Sequence, residues 1–230
     1  EGLFFSQGRG EVTDDEARET LRITRATTVK LSDFAFRLAR RRKSRGGKGR
    51  VTCVDKSNVF RAYAFFRQIF QERAKLNPDV TADCAYVDAM ALDLIRRPWD
   101  FDVLVMENMF GDILSDLGGG LVGGMGMAPC AEIGDAHGLF QPAHGSAPDI
   151  AGQGKANPIA TFLSAALMLD WLGERHGIPH LAEAASTLET AIALGFAEGR
   201  LRPMEFGGDQ GSCAVAEEVI RIIESRVAAT

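Results

Sequence analysis

The chain alternates between short apolar stretches and longer stretches whose apolar residues recur with a helical period. Apolar runs at 50–54, 80–86 and 101–106 predict three buried strands. Helical patterns follow them at about 58–74, 87–96 and 110–121. Strands that alternate with helices at this spacing predict an α/β fold with a parallel sheet.

The start of the chain carries a different pattern. Residues 17–25 alternate between polar and apolar, which predicts a further strand. Thr27 or Thr28 is then expected to cap a helix that runs to about Arg42. This helix ends in basic residues, which suit the negative end of a helix dipole. No aromatic residues are interleaved with the basic run, so a solvated helix end is favoured over a nucleic-acid patch.

A glycine-rich stretch follows the third strand and helix. Glycines at 118, 119, 120, 123, 124 and 126 indicate a flexible or closely packed segment where the chain crosses between domains. We therefore place a domain boundary near residue 122. Gly118, Gly120 and Gly123 have the spacing of a dinucleotide-binding fingerprint, but they follow a helix where that fingerprint needs a strand, so close packing is the better interpretation. We expect a loop-rich stretch to 157, then helices from about 158, 181 and 214.

Composition narrows the class of protein. The chain has 230 residues, of which 46% are hydrophobic and 25% charged, the mixture of a globular protein. The net charge of −5 argues against a nucleic-acid partner, and no apolar run approaches the ~20 residues that span a membrane. Four widely spaced cysteines favour neither a zinc cluster nor a disulfide framework, so we expect a reducing, cytoplasmic setting.

The segment 107–116 carries the most chemistry. Asp112 and Asp116 are four residues apart and share one face of a predicted helix, where like charges destabilise. Mg²⁺ or Mn²⁺ would compensate them, because hard cations prefer carboxylate oxygens. An acidic first turn that merely favours the helix dipole is the alternative. Asp88 opens another helix after a strand and could add a third ligand, and Lys56, just past the first strand, could transfer a proton.

A loop of small residues at 141–158 is the second candidate region. Its small residues permit close approach to a flat ligand, and His144 can stack on such a ligand or hydrogen-bond to it. Asp149 can accept hydrogen bonds from a ribose diol, as carboxylates do in nicotinamide sites. The chain has no Gly-x-Ser-x-Gly elbow, which argues against a hydrolase.

Four segments, in order, give the chain a family resemblance. Asp-Lys-Ser-Asn-Val at 55–59, Val-Asp-Ala-Met at 87–90, Gly-Asp-Ile-Leu-Ser-Asp at 111–116 and His-Gly-Ser-Ala-Pro-Asp-Ile-Ala-Gly at 144–152 resemble the metal-dependent β-decarboxylating dehydrogenases, the isopropylmalate and isocitrate dehydrogenase family. The resemblance implies an α/β, isopropylmalate dehydrogenase-like two-domain fold, of which this chain covers the C-terminal two thirds. Residues 1–122 would form a metal-binding and dimerisation domain whose start is missing, and 123–230 part of the cofactor domain. We therefore expect residues before Glu1.

The resemblance also implies roles for individual residues. Asp112 and Asp116 would bind Mg²⁺ or Mn²⁺ together with Asp88 from a neighbouring subunit. Lys56 and Asp88 would be catalytic, with Lys56 handling the proton of the substrate hydroxyl, and Asn58 would lie near the nicotinamide. The partner would be a second copy, in a homodimer with a shared active site. The NAD cofactor would be held by Asn58 and by a set in the later loop: His144, Gly145, Ser146, Ala147, Asp149 and Asn157.

The activity implied is NAD-dependent oxidative decarboxylation of a 2-hydroxy-3-carboxy acid of the isopropylmalate type. Isocitrate, homoisocitrate, tartrate and malate remain alternatives. Asp149 would favour NAD over NADP, because its carboxylate would repel a 2′-phosphate. Two positions depart from the family: Phe4 stands where a proton-donating Tyr is usual, and Gln141 where many relatives have Glu. Phe4 favours a second hypothesis, a catalytically impaired homologue that binds nucleotide or acts as a regulatory subunit.

Overall fold

The computed structural model describes residues 1–227, and its contacts divide the chain into two compact units, Glu1–Gly118 and Gly119–Thr230. Among the described helices, none is both long and apolar enough to cross a membrane. The first unit contains β1 (Glu11–Val12), β2 (Ala17–Arg18), α1 (Arg25–Ser44), β3 (Arg50–Asp55), α2 (Arg61–Lys75), β4 (Thr81–Tyr86), α3 (Val87–Arg96), β5 (Val103–Val105) and α4 (Asn108–Leu121), the last of which runs across the division.

A parallel three-stranded sheet forms the centre of the first unit, with the strand order β4-β3-β5. One face of the sheet packs on α1 and α2 through Phe36 and Phe70, whose buried rings stack with centroids 5.5 Å apart. The other face packs on α3 and α4 through Met90 and Leu114. Because both faces are covered, the central strand β3 is buried over most of its length, as expected for a parallel sheet.

The predicted strand at 17–25 is wrong for most of its length. Only Ala17–Arg18 is extended, paired antiparallel with Glu11–Val12, and Arg22 makes an isolated bridge to Gly2. Helix α1 also begins earlier than expected. Its cap is Thr24, which has extended backbone angles and accepts a hydrogen bond from the Thr27 amide, so neither Thr27 nor Thr28 is the capping residue. The alternating pattern misled because Ile23 points into the core from an irregular segment.

The basic end of α1 is neutralised by acidic groups of the same unit. Arg40 donates to Asp79 over 2.6 Å, and Arg42 donates to Asp102 over 2.5 Å. Lys43 donates to the Asp79 carbonyl over 2.8 Å. These internal partners agree with the interpretation of the basic run as a helix end rather than a binding patch.

The second unit consists of a two-stranded hairpin and three long helices, which are β6 (Pro129–Ile133), β7 (Gly138–Pro142), α5 (Ile159–His176), α6 (Pro179–Ala197) and α7 (Ser212–Val227). The hairpin lies in the stretch expected to be loop-rich. A turn closed by the Gly134 amide and the His137 carbonyl, 2.8 Å apart, joins its strands. The helices enclose a core centred on Ile159, Ile192 and Val215.

Candidate active site

Lys56 and Asp88 meet at the carboxyl edge of the first unit's sheet. Lys56 follows β3 directly, and Asp88 lies in the first turn of α3, directly after β4. Because β3 and β4 are parallel neighbours, their ends lie side by side, and the Lys56 ammonium donates to an Asp88 carboxylate oxygen over 2.6 Å. This hydrogen bond lowers the pKa of Asp88. The Asp88 side chain remains two-thirds exposed (67%), so it is free to meet a ligand.

The loop that carries Lys56 is anchored from below by Asp55. The Asp55 carboxylate is fully buried and accepts a hydrogen bond from the Ser57 amide over 2.8 Å. It also accepts two hydrogen bonds from the Arg67 guanidinium, at 2.7 and 3.0 Å, a bidentate pair that fixes geometry. Sequence reasoning did not single out this ion pair. The feature of the sequence that could have revealed it is the charged Asp55 at the end of a buried strand, because a buried charge needs a partner.

Helix α4 presents the two predicted metal ligands. Asp112 and Asp116 lie one turn apart and both are exposed. Within residues 1–227 neither carboxylate has a hydrogen-bond or ion-pair partner, so their mutual repulsion is uncompensated by the chain. An exposed, unneutralised pair of carboxylates one turn apart fits a hard divalent cation by charge and by donor type.

The start of α4 is fixed by a buried acid that the sequence did not single out. Glu107 accepts from the Tyr63 hydroxyl over 2.9 Å and from the Met109 amide over 3.1 Å. Burial, reinforced by the hydrogen bond to Glu107, raises the pKa of the Tyr63 phenol. The Tyr63 ring also stacks on Phe110, with centroids 4.7 Å apart. These contacts orient the helix that carries Asp112.

The three predicted metal ligands are not brought together within one chain. Among the residues described, no group of three or more His, Cys, Asp or Glu side chains could hold a metal ion. The chain instead offers two separate parts, the Asp112 and Asp116 pair on α4 and the Asp88 and Lys56 pair at the strand ends. The prediction that Asp88 joins the other two from a neighbouring subunit therefore stays a prediction. Asn58 is exposed beyond the same strand end.

A cavity of about 390 Å³ in the second unit contains part of the predicted cofactor set. His144, Ala147 and Asn157 line it, whereas Gly145, Ser146 and Asp149 are exposed in the same loop and do not. Residues absent from the prediction complete the lining: Met125, Gly126, Ile150, Lys155, Ala156, Met204 and Glu205.

Glu205 organises one wall of this cavity. Its carboxylate accepts a hydrogen bond from Asn157 over 2.9 Å and another from the Gly126 amide over 3.2 Å. The side-chain amide oxygen of Asn157 in turn accepts a hydrogen bond from the Ile159 backbone amide at the start of α5, over 3.2 Å. A Cβ atom at Gly126 would overlap Glu205, so the backbone must lack one there. Sequence reasoning missed Glu205 because its partners are far away along the chain.

The sequence profile of a family described as isocitrate/isopropylmalate dehydrogenase matches residues 1–221. The chain belongs to this family. The family resemblance and the fold class predicted from the four segments are therefore confirmed. The predicted roles of the individual residues, and the assignment of metal and cofactor binding to separate domains, are not tested by this match.

Relatives of the isocitrate/isopropylmalate dehydrogenase family align over nearly the whole chain. A 3-isopropylmalate/3-methylmalate dehydrogenase from Methanocaldococcus jannaschii is 46% identical, over 96% of this chain and 64% of its own length. A homoisocitrate dehydrogenase from the same organism is 38% identical, over 96% of this chain and 60% of its own. The chain thus spans about 60% of the curated relatives it matches.

Solved structures of the family agree with the fold. A β-decarboxylating dehydrogenase from Thermococcus kodakarensis superposes with a TM-score of 0.82 at 37% identity, over 95% of this chain and 61% of that one. An isocitrate dehydrogenase from Methylococcus capsulatus gives a TM-score of 0.84 at 35% identity, over 97% of this chain and 64% of that one.

Proposed function

We propose that this protein carries out the NAD-dependent oxidative decarboxylation of a 2-hydroxy-3-carboxy acid, most closely of the isopropylmalate type. The observation that carries the proposal is the pairing of Lys56 with Asp88 at the strand ends, beside a family-typical helix that presents Asp112 and Asp116 without a partner among the described residues. Relatives named for isopropylmalate, 3-methylmalate and homoisocitrate support this class of substrate.

The residues of this chain fit a divalent cation and NAD, the two groups that such a reaction needs. Asp112 and Asp116 would hold Mg²⁺ or Mn²⁺, with Asp88 completing the set, because carboxylate oxygens suit these ions. The cavity beside Asn157 and His144 would hold the adenosine half of NAD. When bound, the cation supplies Lewis acidity toward the substrate hydroxyl, and NAD supplies the hydride acceptor.

Lys56 is the group of this chain best placed to move a proton. Its side chain is three-quarters buried and its ammonium is held by Asp88, so it has a defined position rather than the freedom of a surface lysine. The Asp55 and Arg67 pair beneath it fixes the loop. We assign to Lys56 the exchange of the hydroxyl proton, a role worth about 10²–10⁴-fold in rate for a positioned acid–base group.

Exposed apolar side chains support a homodimer with a shared active site. Leu92, Ile95 and Trp99, on α3 and just after it, are 52%, 62% and 68% exposed, and Ile113 on α4, next to Asp112, is 59% exposed. An exposed apolar surface of this kind marks an association site. The shared-site prediction requires a second copy on this surface, with the partner's Asp88 close to Asp112.

Asp149 supports a preference for NAD over NADP. Its carboxylate is exposed beside the cavity, and its carbonyl accepts from Gln153 over 2.8 Å, which steadies the short turn. A 2′-phosphate brought to this turn would meet a negative charge. The chain offers Lys155 on the cavity wall as a nearby cation, so Asp149→Ser should raise the affinity for NADPH relative to NADH.

Phe4 favours a second candidate, a homologue that binds nucleotide but turns over slowly or not at all. The Phe4 ring is half exposed (50%) and carries no hydroxyl, so it cannot donate the final proton to an enolate.

One assay separates the two candidates. Full-length protein with NAD and Mn²⁺ is offered a panel of 2-hydroxy-3-carboxy acids, and NADH formation and released CO₂ are measured. We expect turnover with an isopropylmalate-type acid, loss of turnover and of Mn²⁺ binding in Asp112→Asn, and neither loss in the matched surface variant Asp15→Asn. Binding of Mn²⁺ and NADH without turnover of any acid would identify the impaired homologue instead.

A further inference from the structure

Two cysteines lie side by side on neighbouring strands of the first unit's sheet. Cys53 in β3 and Cys84 in β4 are register partners in the parallel pairing, so their side chains leave the same face of the sheet, toward α1 and α2. Neighbouring strands lie about 4.8 Å apart, inside the range of about 4.4–6.8 Å that disulfides span between Cα atoms. The proposed function uses neither cysteine.

The two thiols differ in their access to solvent. Cys53 is fully buried in the core between the sheet and α2. Cys84 is partly exposed on the edge strand β4 and lines a surface cavity of about 430 Å³ together with Lys75 and Ala82. A small solute can therefore reach Cys84 through this cavity, whereas Cys53 is closed to solvent.

The charges around the pair also distinguish the two sulfurs. A hydrogen bond from the Cys53 thiol lowers the pKa of Cys84, and the Arg67 guanidinium lowers it further, against the opposing effects of burial, Asp55 and Asp83. The same hydrogen bond, with burial, raises the pKa of Cys53. Cys84 is thus the sulfur that favours the thiolate, which is the nucleophilic form, and Cys53 stays protonated.

We propose that Cys53 and Cys84 form a reversible dithiol–disulfide couple that responds to hydroperoxides. The Cys84 thiol gives up its proton, its thiolate attacks a peroxide oxygen, and the O–O bond breaks. The products are a Cys84 sulfenic acid and a hydroxide, which becomes water with the proton that the Cys84 thiol released. The Cys53 sulfur then attacks the Cys84 sulfur, the S–S bond forms, the S–O bond breaks, and the hydroxide leaves as water with the Cys53 proton. Two thiols have lost two hydrogens and one hydrogen peroxide has become two waters.

The proton of Cys53 has an acceptor close by. The Cys53 sulfur also lies 3.7 Å from a carboxylate oxygen of Asp55. Asp55 is the residue that anchors the loop before Lys56, through Arg67 and the Ser57 amide. The couple therefore lies directly beneath that loop, although its chemistry does not depend on any dehydrogenase activity.

Peptide mass spectrometry tests the proposal without an activity assay. The folded full-length protein is exposed to hydrogen peroxide, quenched with catalase, alkylated and digested with trypsin. Cleavage after Arg50, Lys56, Lys75 and Arg96 places the cysteines in peptides 51–56 and 76–96. We expect these peptides to be joined, with a mass about 2 Da below their sum, and to separate after treatment with a dithiol reductant.

Three variants make the test specific. Cys53→Ala should leave Cys84 as a sulfenic acid that a 1,3-diketone traps, and Cys84→Ser should keep Cys53 reduced. The matched control Cys213→Ser, at an exposed cysteine of the second unit, should form the joined peptides as the parent does. Thermal unfolding of each reduced variant checks that it is folded. A trapped sulfenic acid at Cys84 in the parent without joined peptides, or oxidation of Cys53 when Cys84 is absent, would overturn the proposal.

Discussion

The ammonium of Lys56 lies 2.6 Å from the carboxylate of Asp88, although the two residues are 32 positions apart in the chain. The contact exists because each residue directly follows one of two parallel strands that pair along their whole length. In a homodimer with shared active sites, one subunit would contribute both Lys56 and Asp88 to a site.

Mixing two inactive variants should restore activity if the active site is shared. Lys56→Met and Asp112→Asn each remove a group from a different part of the proposed site. In a mixed dimer, one of the two sites receives Lys56 and Asp112 intact from different chains. Statistical exchange then returns roughly a quarter of parent activity, because half of the dimers are mixed and each has one working site. NADH formation before and after subunit exchange measures it.

Control mixtures and variants test whether the recovered activity comes from a site that two chains share. Lys56→Met mixed with Asp88→Asn should stay inactive, because both changes affect the same half of the site. Lys48→Met, at an exposed lysine 3.9 Å from Asp100, should keep parent activity on its own. Absence of recovery in the first mixture, with exchange demonstrated by mass, would mean that the groups act within one chain.

Gly126→Ala should weaken nucleotide binding. The added Cβ atom would overlap Glu205 and come within 3.0 Å of the Asn157 Cβ atom, so the hydrogen bonds on that cavity wall must break or shift. Overpacking of this kind costs about 1–3 kcal/mol, which corresponds to a loss in affinity of about 5- to 150-fold when the cost falls on the bound state. Fluorescence titration with NADH measures it.

Gly120→Ala is the matched control for this substitution. Gly120 lies in α4, and a Cβ atom there meets nothing within 4 Å. Alanine is a better helix former than glycine by about 1 kcal/mol, so this variant should bind NADH normally and unfold at a higher temperature. Equal NADH affinity in both variants would contradict the proposed role of the Glu205 wall.

Tyr63→Phe should destabilise the first unit. It leaves a buried carboxylate oxygen of Glu107 without its 2.9 Å hydrogen bond, which costs about 1–3 kcal/mol for an unsatisfied buried group. Urea unfolding measures the change. The only other tyrosine, Tyr86, is more than one-third exposed, and its ring faces the Arg67 guanidinium. Tyr86→Phe should therefore leave the free energy of unfolding nearly unchanged, and a loss equal to that of Tyr63→Phe would count against the Glu107 contact.

The ion pair between Arg40 and Asp79 should make stability depend on pH in the acid range. Its hydrogen bond lowers the pKa of Asp79 to about 2, below the ordinary 3.8. Because the folded-state pKa is the lower one, the stabilisation is complete above the unfolded pKa and is lost as the pH falls toward 2. The difference in unfolding free energy between the parent and Asp79→Asn should therefore shrink between pH 6 and about pH 3. A constant difference for Asp79→Asn would contradict the pairing.

The sheet of the first unit was predictable because short stretches rich in apolar residues alternate with amphipathic helical patterns along the chain. The central strand β3 is buried at five of its six residues, and α3 was located at its observed ends. The same reasoning failed at β6 and β7. These strands are half exposed, and Pro, Gly and small residues dilute their alternation, so they had the composition of a loop.

The candidate site was predictable where its chemistry is local in sequence. Helical spacing alone placed Asp112 and Asp116 on one face of a helix, with an acidic first turn as the alternative to a metal pair. Glu205 has no such local signal, because it acts on Asn157 and Gly126, which lie 48 and 79 residues away. Asp55 was read as part of a family segment, but its partner Arg67 is on α2, across the sheet face, and only the packed structure pairs them.

The carboxylate of Glu205 occupies the volume that a side chain at position 126 would need, and this has a consequence for how the protein can evolve. Positions 126 and 205 are therefore coupled: an alanine at 126 causes less overlap once residue 205 has been shortened, as in Glu205→Asp. If position 126 changed first, the intermediate protein would carry the overlap between the new side chain and Glu205. Substitutions at these two positions should accordingly appear in a fixed historical sequence, with the loop acid changing first.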